Sequence, residues 1–289
     1  MKILITGKTG QVGYELERSL QSLGTVASVD RKQMDLSDLS RIRQVIRDIK
    51  PDLIVNPAAY TAVDKAEEEP DVAMRINGEA VGVMAEEAKL LNAKFIHYST
   101  DYVFDGTKIG SYVEEDIPNP INIYGKTKLA GERALQDSGV PHLIFRTSWV
   151  YGTRGKNFLL TMLRLGKEKK ELRIVSDQIG GPTWCRTISD TTANVLVHAY
   201  ASKTPEEWWE KNSGIYHLAA QGQTSWAGFA DAIFSRMNSE TSPIVHPIFT
   251  KEYPLPAQRP ANSLLDCQRI KTKFCALPKW DDALDLCMM

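Results

Sequence analysis

The chain has little of what marks most specialised sequences. Its 289 residues hold four cysteines, Cys185, Cys267, Cys275 and Cys287, with no C-x-x-C pair among them. That spacing gives neither a disulfide framework nor a zinc site, and reduced thiols in a cytoplasmic protein are expected. The five histidines are scattered. His97, inside an apolar run, reads as a satisfied core residue and not as a ligand. Charge of one sign is missing too: 35 Lys and Arg stand against 36 Asp and Glu, a formal net charge of −1. There is no electrostatic case for nucleic acid or an anionic membrane. No apolar run approaches the roughly 20 residues of a membrane span, and the start at Met1 is too short in its apolar part for a signal peptide. No internal repeat or low-complexity segment is found. The length fits one large domain or two modest ones.

What is present begins with Lys2–Thr6, a short β-rich run leading directly into Gly7-Lys8-Thr9-Gly10-Gln11-Val12-Gly13. A helical pattern follows, with Val12, Leu16, Leu20 and Leu23 on one face. Strand, glycine turn and helix in that order form a dinucleotide cradle: glycines let backbone approach a pyrophosphate, and the helix N-terminus offers it free N–H groups. The spacing is G-x-x-G-x-x-G and not G-x-G-x-x-G. A second strand, Val26–Val29, ends in Asp30, where a carboxylate accepts the 2′-hydroxyl of NAD. Arg31 follows at once and suits the 2′-phosphate of NADP, so the sequence points both ways on NADH against NADPH. Asp35 and Leu36 stand where adenine would lie, although Asp35 or Ser37 equally suits a helix cap. A third strand, Asp52–Asn56, leads into Pro57-Ala58-Ala59-Tyr60-Thr61, small residues that let a flat ring come close.

The acidic stretch Glu67-Glu68-Glu69-Pro70 reads as a solvated approach to a long helix over Asp71–Leu91. Then comes the strand opening at Phe95, which ends in hydroxyls and a carboxylate at Ser99-Thr100-Asp101. After a loop rich in Gly, Pro and acidic residues, Tyr124-Gly125-Lys126-Thr127-Lys128 heads another helix, stopped by Gly139. Tyr124 and Lys128 are i and i+4, one turn apart on one face. Thr100, at the sheet's carboxyl edge, is placed to meet them. Tyrosine, lysine and hydroxyl together make a proton-transfer unit. A free tyrosine titrates near pH 10, so working near neutrality calls for a depression of roughly 3 units, or about 4 kcal/mol. An ammonium about 4 Å away supplies that order at an effective dielectric near 20.

A strand at His142–Thr147 ends in Ser148-Trp149. The alternation then loosens: a helix near 157–169, a strand near 172–175, a helix over 188–200, a strand near 215–218 and a helix near 226–237. Strands alternating with helices through residues 1–150 predict a Rossmann-like α/β fold, a doubly wound parallel sheet that binds a dinucleotide. Residues 151–289 read as a smaller α/β substrate lobe with interleaved boundaries, parts of 170–200 rejoining the first layer.

These residues carry a family resemblance. The glycine turn, Ser99-Thr100-Asp101 and Tyr124-x-x-x-Lys128 resemble the extended short-chain dehydrogenase/reductases. Adding Thr61-Ala62-Val63-Asp64-Lys65-Ala66-Glu67, Tyr102-Val103-Phe104, Arg146-Thr147-Ser148-Trp149-Val150-Tyr151 and Arg259-Pro260, essentially the whole chain is similar to the dTDP-4-dehydrorhamnose reductases. The resemblance implies NADPH- or NADH-dependent reduction of the C4 ketone of dTDP-4-dehydro-β-L-rhamnose, supplying dTDP-rhamnose for cell-surface polysaccharide. It makes Tyr124 the proton donor, Lys128 the ribose-holding, pKa-lowering cation and Thr100 the hydroxyl that positions the carbonyl. Gly7, Gly10, Gln11, Val12, Gly13, Asp30, Arg31, Asp35, Leu36, Ala59, Tyr60, Thr61 and Tyr98 become cofactor contacts. Val63, Asp101, Tyr102, Trp149, Asn157, Gln178 and Arg259 become sugar-nucleotide contacts, with a core role for Trp149 the alternative. Relatives that bind Mg²⁺ at a dimer contact make a homodimer and a metal at Glu15 conceivable by resemblance alone. Pro57 departs from the family's usual small residue.

Two rivals frame this reading. A dehydratase of the superfamily carries Asp-Glu after the active-site Thr, whereas Tyr102 follows Asp101 here; an epimerase uses the same Tyr and Lys with a retained cofactor. A non-catalytic NADP-binding regulatory subunit is the rival from another class, and intact Thr100, Tyr124 and Lys128 argue against it.

Overall fold

The computed structural model describes residues 1–237 and 242–289. The first half alternates as the pattern requires: β1 (Lys2–Ile5), α1 (Gln11–Ser19), β2 (Thr25–Ser28), α2 (Leu39–Ile49), β3 (Leu53–Asn56), α3 (Val63–Glu68), α4 (Pro70–Met74), α5 (Ala80–Leu90), β4 (Lys94–Thr100), α6 (Ile123–Asp137) and β5 (His142–Thr147). Apart from the edge strand β2, the strands are short and buried on both sides, which suits a parallel sheet covered by helices. Side chains alternate strictly across it. Ile3, Ile5, Leu53, Val55, Ile96, Tyr98, Leu143 and Phe145 pack with Leu16 and Leu20 on one face. Leu4, Ile54, Phe95 and Ile144 pack on the other with Ile42, Val45, Val81, Met84 and Leu135.

The second half runs β6 (Val150–Tyr151), α7 (Phe158–Glu168), β7 (Glu171–Val175), β8 (Ile179–Gly180), β9 (Thr183–Trp184), α8 (Cys185–Ala201), α9 (Pro205–Asn212), β10 (Gly214–His217), β11 (Thr224–Ser225), α10 (Trp226–Ser235), β12 (Ile244–Ile248), α11 (Gln268–Lys273) and α12 (Trp280–Met288). Its own core joins Leu159, Met162 and Ile174 to Phe229, Ile233, Phe234 and Leu284. The central sheet has six parallel strands in the order β10-β5-β4-β3-β1-β2. Strand order reverses at β1, and the crevice outside the carboxyl ends of β1 and β3 is where such sheets bind ligands.

Two local expectations are corrected and one is refined. The strand at 215–218, expected within the substrate lobe, pairs instead with β5 as the sixth strand of the large sheet, β10. A pairing across some 70 residues leaves no mark on local periodicity. The helix over 71–91 is unbroken from Pro70 to Leu90, but its middle, Arg75–Glu79, is a π turn that joins α4 to α5, and one extra residue in a helix hides inside an apolar pattern. The acidic approach is itself helical and is not merely solvated. Glu67 accepts from the Ile123 N–H at 2.8 Å, helping to cap α6, and Glu69 accepts from the Tyr60 hydroxyl at 2.9 Å. Among the described residues no helix is long and apolar enough to cross a membrane.

Candidate active site

The glycine turn is built for close approach. Gly7 has φ +59°, and a Cβ there would sit 2.9 Å from that of Ala58; a Cβ on Gly13 would lie 2.3 Å from the Gly7 carbonyl oxygen. α1 therefore presses onto the turn, and its first N–H groups open into a cavity of about 650 Å³. Gly7, Gly10, Gln11, Val12, Gly13, Pro57, Ala59, Thr61 and Val63 line one side of it, Thr100, Asp101, Tyr102, Tyr124, Lys128 and Trp149 the other. A backbone cradle at a helix N-terminus, small residues beside it and a lysine opposite fit a dinucleotide.

Of the other predicted cofactor residues, Asp30, Arg31, Asp35, Leu36 and Tyr60 stand apart from that lining. Asp30 accepts from the backbone N–H groups of Lys32 and Gln33 and so folds its own turn. Arg31 is exposed and paired with Asp35 at 3.1 Å, while Asp35 also accepts from Ser37; the helix cap itself is Asp38. Leu36 is buried in the core. Tyr60 turns its hydroxyl to Glu69. Tyr98 borders the cavity, but its ring packs on Phe145 and its hydroxyl bonds Thr192 of α8. Glu15 is largely buried, with an Arg186 nitrogen 4.0 Å away. Among the described residues no group of three or more His, Cys, Asp or Glu could hold a metal.

Tyr124 and Lys128 come from the first turns of α6, which Asn122 caps through the Gly125 N–H. A Cβ on Gly125 would lie 2.1 Å from the Tyr102 carbonyl oxygen, so glycine is what lets the helix start against the end of β4. Thr100 donates to Asp101 at 2.9 Å and accepts from the Tyr102 N–H at 3.2 Å. Burial pushes Tyr124 up to about 12, against the Thr100 hydrogen bond, and the Asp101 charge adds to the rise. Burial brings Lys128 down to about 8, with Glu132 opposing. Lys128 donates to the Tyr98 carbonyl at 2.6 Å and lies 3.2 Å from His97 Nε2. The ammonium thus points at the strand, and the expected depression of Tyr124 by Lys128 alone is corrected: desolvation of the phenol wins. At about 12 the phenol is protonated across the physiological range, but it lies above the near-neutral value at which a positioned acid is most efficient. Asp101 is fully buried; its carboxyl is raised by burial to about 6, and Oδ2 has no partner among the described residues.

A second cavity, of about 750 Å³, adjoins the first, and Tyr102 and Trp226 line both. Gln178 and Arg259 line it with Phe158, Met162, Leu165, Ile174 and the segment 253–258. Gln178 accepts from the Trp226 indole at 3.1 Å and donates to Thr250 at 3.0 Å. Arg259 makes a two-pronged pair with Asp64, both contacts 2.7 Å, tying the 253–259 segment to α3. Asn157 is not with them. It caps α7 and donates to Gln11 at 2.8 Å on the cofactor side. Trp149 takes a left-handed backbone, φ +46°, and stacks on Trp226 at 3.5 Å; a Cβ on Gly180 would collide with its indole at 2.4 Å. The ring is clamped between a tryptophan and a glycine and still borders the first cavity.

The whole chain, residues 1–289, matches the family model described as RmlD substrate binding domain. The dTDP-4-dehydrorhamnose reductase of Burkholderia thailandensis is 49% identical over 295 residues, covering 100% of this chain and 98% of that one. The chain belongs to the dTDP-4-dehydrorhamnose reductase family. The Escherichia coli K12 reductase is 44% identical, with 97% and 94% of the two chains covered. The solved Bacillus anthracis reductase, in complex with NADP, superposes with a TM-score of 0.90 at 37% identity over 99% of this chain and 98% of that one. A UDP-glucose 4-epimerase from Thermus thermophilus, 18% identical with a TM-score of 0.79, shares the fold.

Three residues of this reductase-family site were not foreseen. Trp226 carries no local signal; it starts a helix far along the chain. Asp64 was visible within its motif, but its pairing with Arg259 was not. His97 had a signal in its parity: it shares a face of β4 with Phe95, which packs with Leu135 of α6, and α6 carries Lys128.

Proposed function

We propose that the protein reduces the C4 ketone of dTDP-4-dehydro-β-L-rhamnose to dTDP-β-L-rhamnose, as a cytoplasmic oxidoreductase using NADPH or NADH. The observation that carries this is the position of Thr100, Tyr124 and Lys128 in a glycine-cradled cavity, with the Tyr124 ring 5.6 Å from that of Tyr102, which also lines the second cavity. When bound, the reduced nicotinamide supplies hydride. The chain's own residues do the rest. The 7–13 turn and the α1 N-terminus hold the pyrophosphate. Lys128, fixed by the Tyr98 carbonyl, keeps a further N–H for the ribose. Thr100 positions the sugar carbonyl, and Tyr124 hands its phenolic proton to the oxygen as charge develops there. Trp149 offers an aromatic face to the deoxysugar, and the cavity bearing Gln178 takes the nucleotide.

An assay of NADPH oxidation with the 4-keto-sugar nucleotide tests the reading, with product identity fixing the carbon reduced. Turnover that regenerates the cofactor and inverts a sugar carbon would make it an epimerase. Cofactor binding without turnover would leave the regulatory-subunit reading.

A further inference from the structure

Lys128 is almost wholly buried, 2% exposed, and His97 and Asn56 beside it are 0% exposed. An ammonium in such a place needs acceptors. The Tyr98 carbonyl is one, at 2.6 Å; the other within reach is His97 Nε2 at 3.2 Å. Behind the ring, Nδ1 lies 3.2 Å from the Asn56 amide nitrogen, and Thr6 donates to the Asn56 oxygen at 2.6 Å. The amide has the same shape end for end. With its nitrogen toward Nδ1, the ring carries its proton on Nε2 and aims a donor at a donor. With its oxygen toward Nδ1–H, the ring presents a bare Nε2 lone pair to the ammonium, and the Asn56 nitrogen gives to Thr6.

We propose that His97 is a positioning residue for the reaction: as the neutral Nδ1–H tautomer, held by Asn56, it accepts from the Lys128 ammonium and raises the lysine's proton affinity. The proposal rests on Lys128 serving the reaction described above. A hydrogen bond to a charged group is worth enough to move a titration by about one pH unit or more. The ring itself stays uncharged, since burial and the Lys128 charge hold its pKa well below the usual histidine value. The other charged or titratable groups around this pair are Glu132, one turn along α6 and locked to Arg146 of β5, with Tyr124, Asp101 and His142. His97 is the one that offers Lys128 a side-chain lone pair without a charge.

The test uses the intact chain with ¹³Cε-labelled lysine and ¹⁵N-labelled histidine. Lys128 is assigned by the signal missing in Lys128→Met. In the wild type the His97 ring is expected as the Nδ1–H tautomer below the lysine midpoint, with no imidazolium down to about pH 5. His97→Leu should lower the Lys128 midpoint by about one unit, and His97→Gln, which keeps an acceptor oxygen, should restore most of it. The alkaline limb of kcat for NADPH oxidation should move with the midpoint. An Nε2–H tautomer opposite a charged lysine, or an unchanged midpoint in both variants, would overturn the proposal. The tautomer is read in the wild type and decides even where a variant does not fold. Absence of keto-sugar turnover alongside a shifted midpoint would count against the substrate assignment and leave His97 in place.

Discussion

The two cavities meet at Tyr102 and Trp226 but are assembled differently. The glycine-cradled side is made mostly of strand ends and the turns that leave them, in short pieces at 7–13, 57–63 and 98–102, with Tyr124, Lys128, Thr147, Trp149, Val150, 155–157 and Trp226 completing the wall. These pieces are fixed by a parallel sheet whose strands are buried on both faces. The second cavity, where we propose that the nucleotide sits, is made by bringing distant segments together, with Tyr102, α7, β7, Gln178, Trp226, Thr250 and 253–259 all on its wall. It is held by side-chain ties, above all Arg259–Asp64 across 195 residues. One site is shaped by backbone and the other by side chains. Substitutions on the first side should act on cofactor affinity through geometry, and those on the second on sugar-nucleotide affinity through individual contacts.

The largest effect belongs to the junction. Tyr124→Phe should lower kcat by about 10²–10⁴-fold while NADPH binding by fluorescence titration stays near wild type. Near-normal turnover in a folded variant would remove the tyrosine from the chemistry. Next comes Gly13→Val, whose side chain has no room against the Gly7 carbonyl. Such overpacking should weaken NADPH binding about 10–100-fold with a much smaller change in the affinity for dTDP. Equal losses for both ligands would break the separation drawn between the cavities. On the other side, Trp149→Ala should raise KM for the sugar nucleotide roughly tenfold, the scale of one aromatic contact, and leave NADPH affinity alone. Unchanged kinetics with a large fall in Tm would place Trp149 in the core.

Asp101 sharpens the comparison through stability. Its folded pKa, about 6, lies above the ordinary 3.8. The native state thus binds more protons than the unfolded one between about pH 4 and 6. Stability is greatest below the unfolded value and falls as pH rises through 6. Asp101→Asn should be more stable than wild type at pH 8, by up to about 3 kcal/mol, and lose that advantage near pH 4, as denaturant titrations at the two pH values would read out. A gain independent of pH would show that the carboxyl is not carrying a burial cost. The smallest effect is Arg31→Ala. Because Arg31 is exposed and shared with Asp35, NADPH binding should weaken only a few-fold and NADH binding hardly at all. Equal losses would show that Arg31 does not read the phosphate.

The same contrast explains what could be read from the amino acids. The glycine turn, the Phe95 strand and the Tyr124–Lys128 pair are local patterns, and each lies where its periodicity and end signals put it. The strand at 215–218 was visible as a strand, but its place beside β5 depends on a partner seventy residues away. Trp149 was visible, whereas the Trp226 that stacks on it was not. The Lys128 contact with Tyr124 was misjudged for a related reason: i and i+4 spacing gives proximity along the helix, but the ammonium follows its acceptors, and those stand on β4.

The placement of β10 bears on how the chain is made. α8, which packs on α1, and β10, which closes the sheet at β5, both lie beyond α7 and β7. During synthesis the first 150 residues emerge with β5 as a raw edge and α1 uncovered; α1 stays so until α8, ending at Ala201, has left the ribosome, and β5 until β10, ending at His217, has followed. A fragment ending near 150 therefore carries an unpaired strand and a bare apolar helix face, which makes it sticky. Cutting the chain near residue 150 is therefore expected to give an aggregating fragment in place of two working parts.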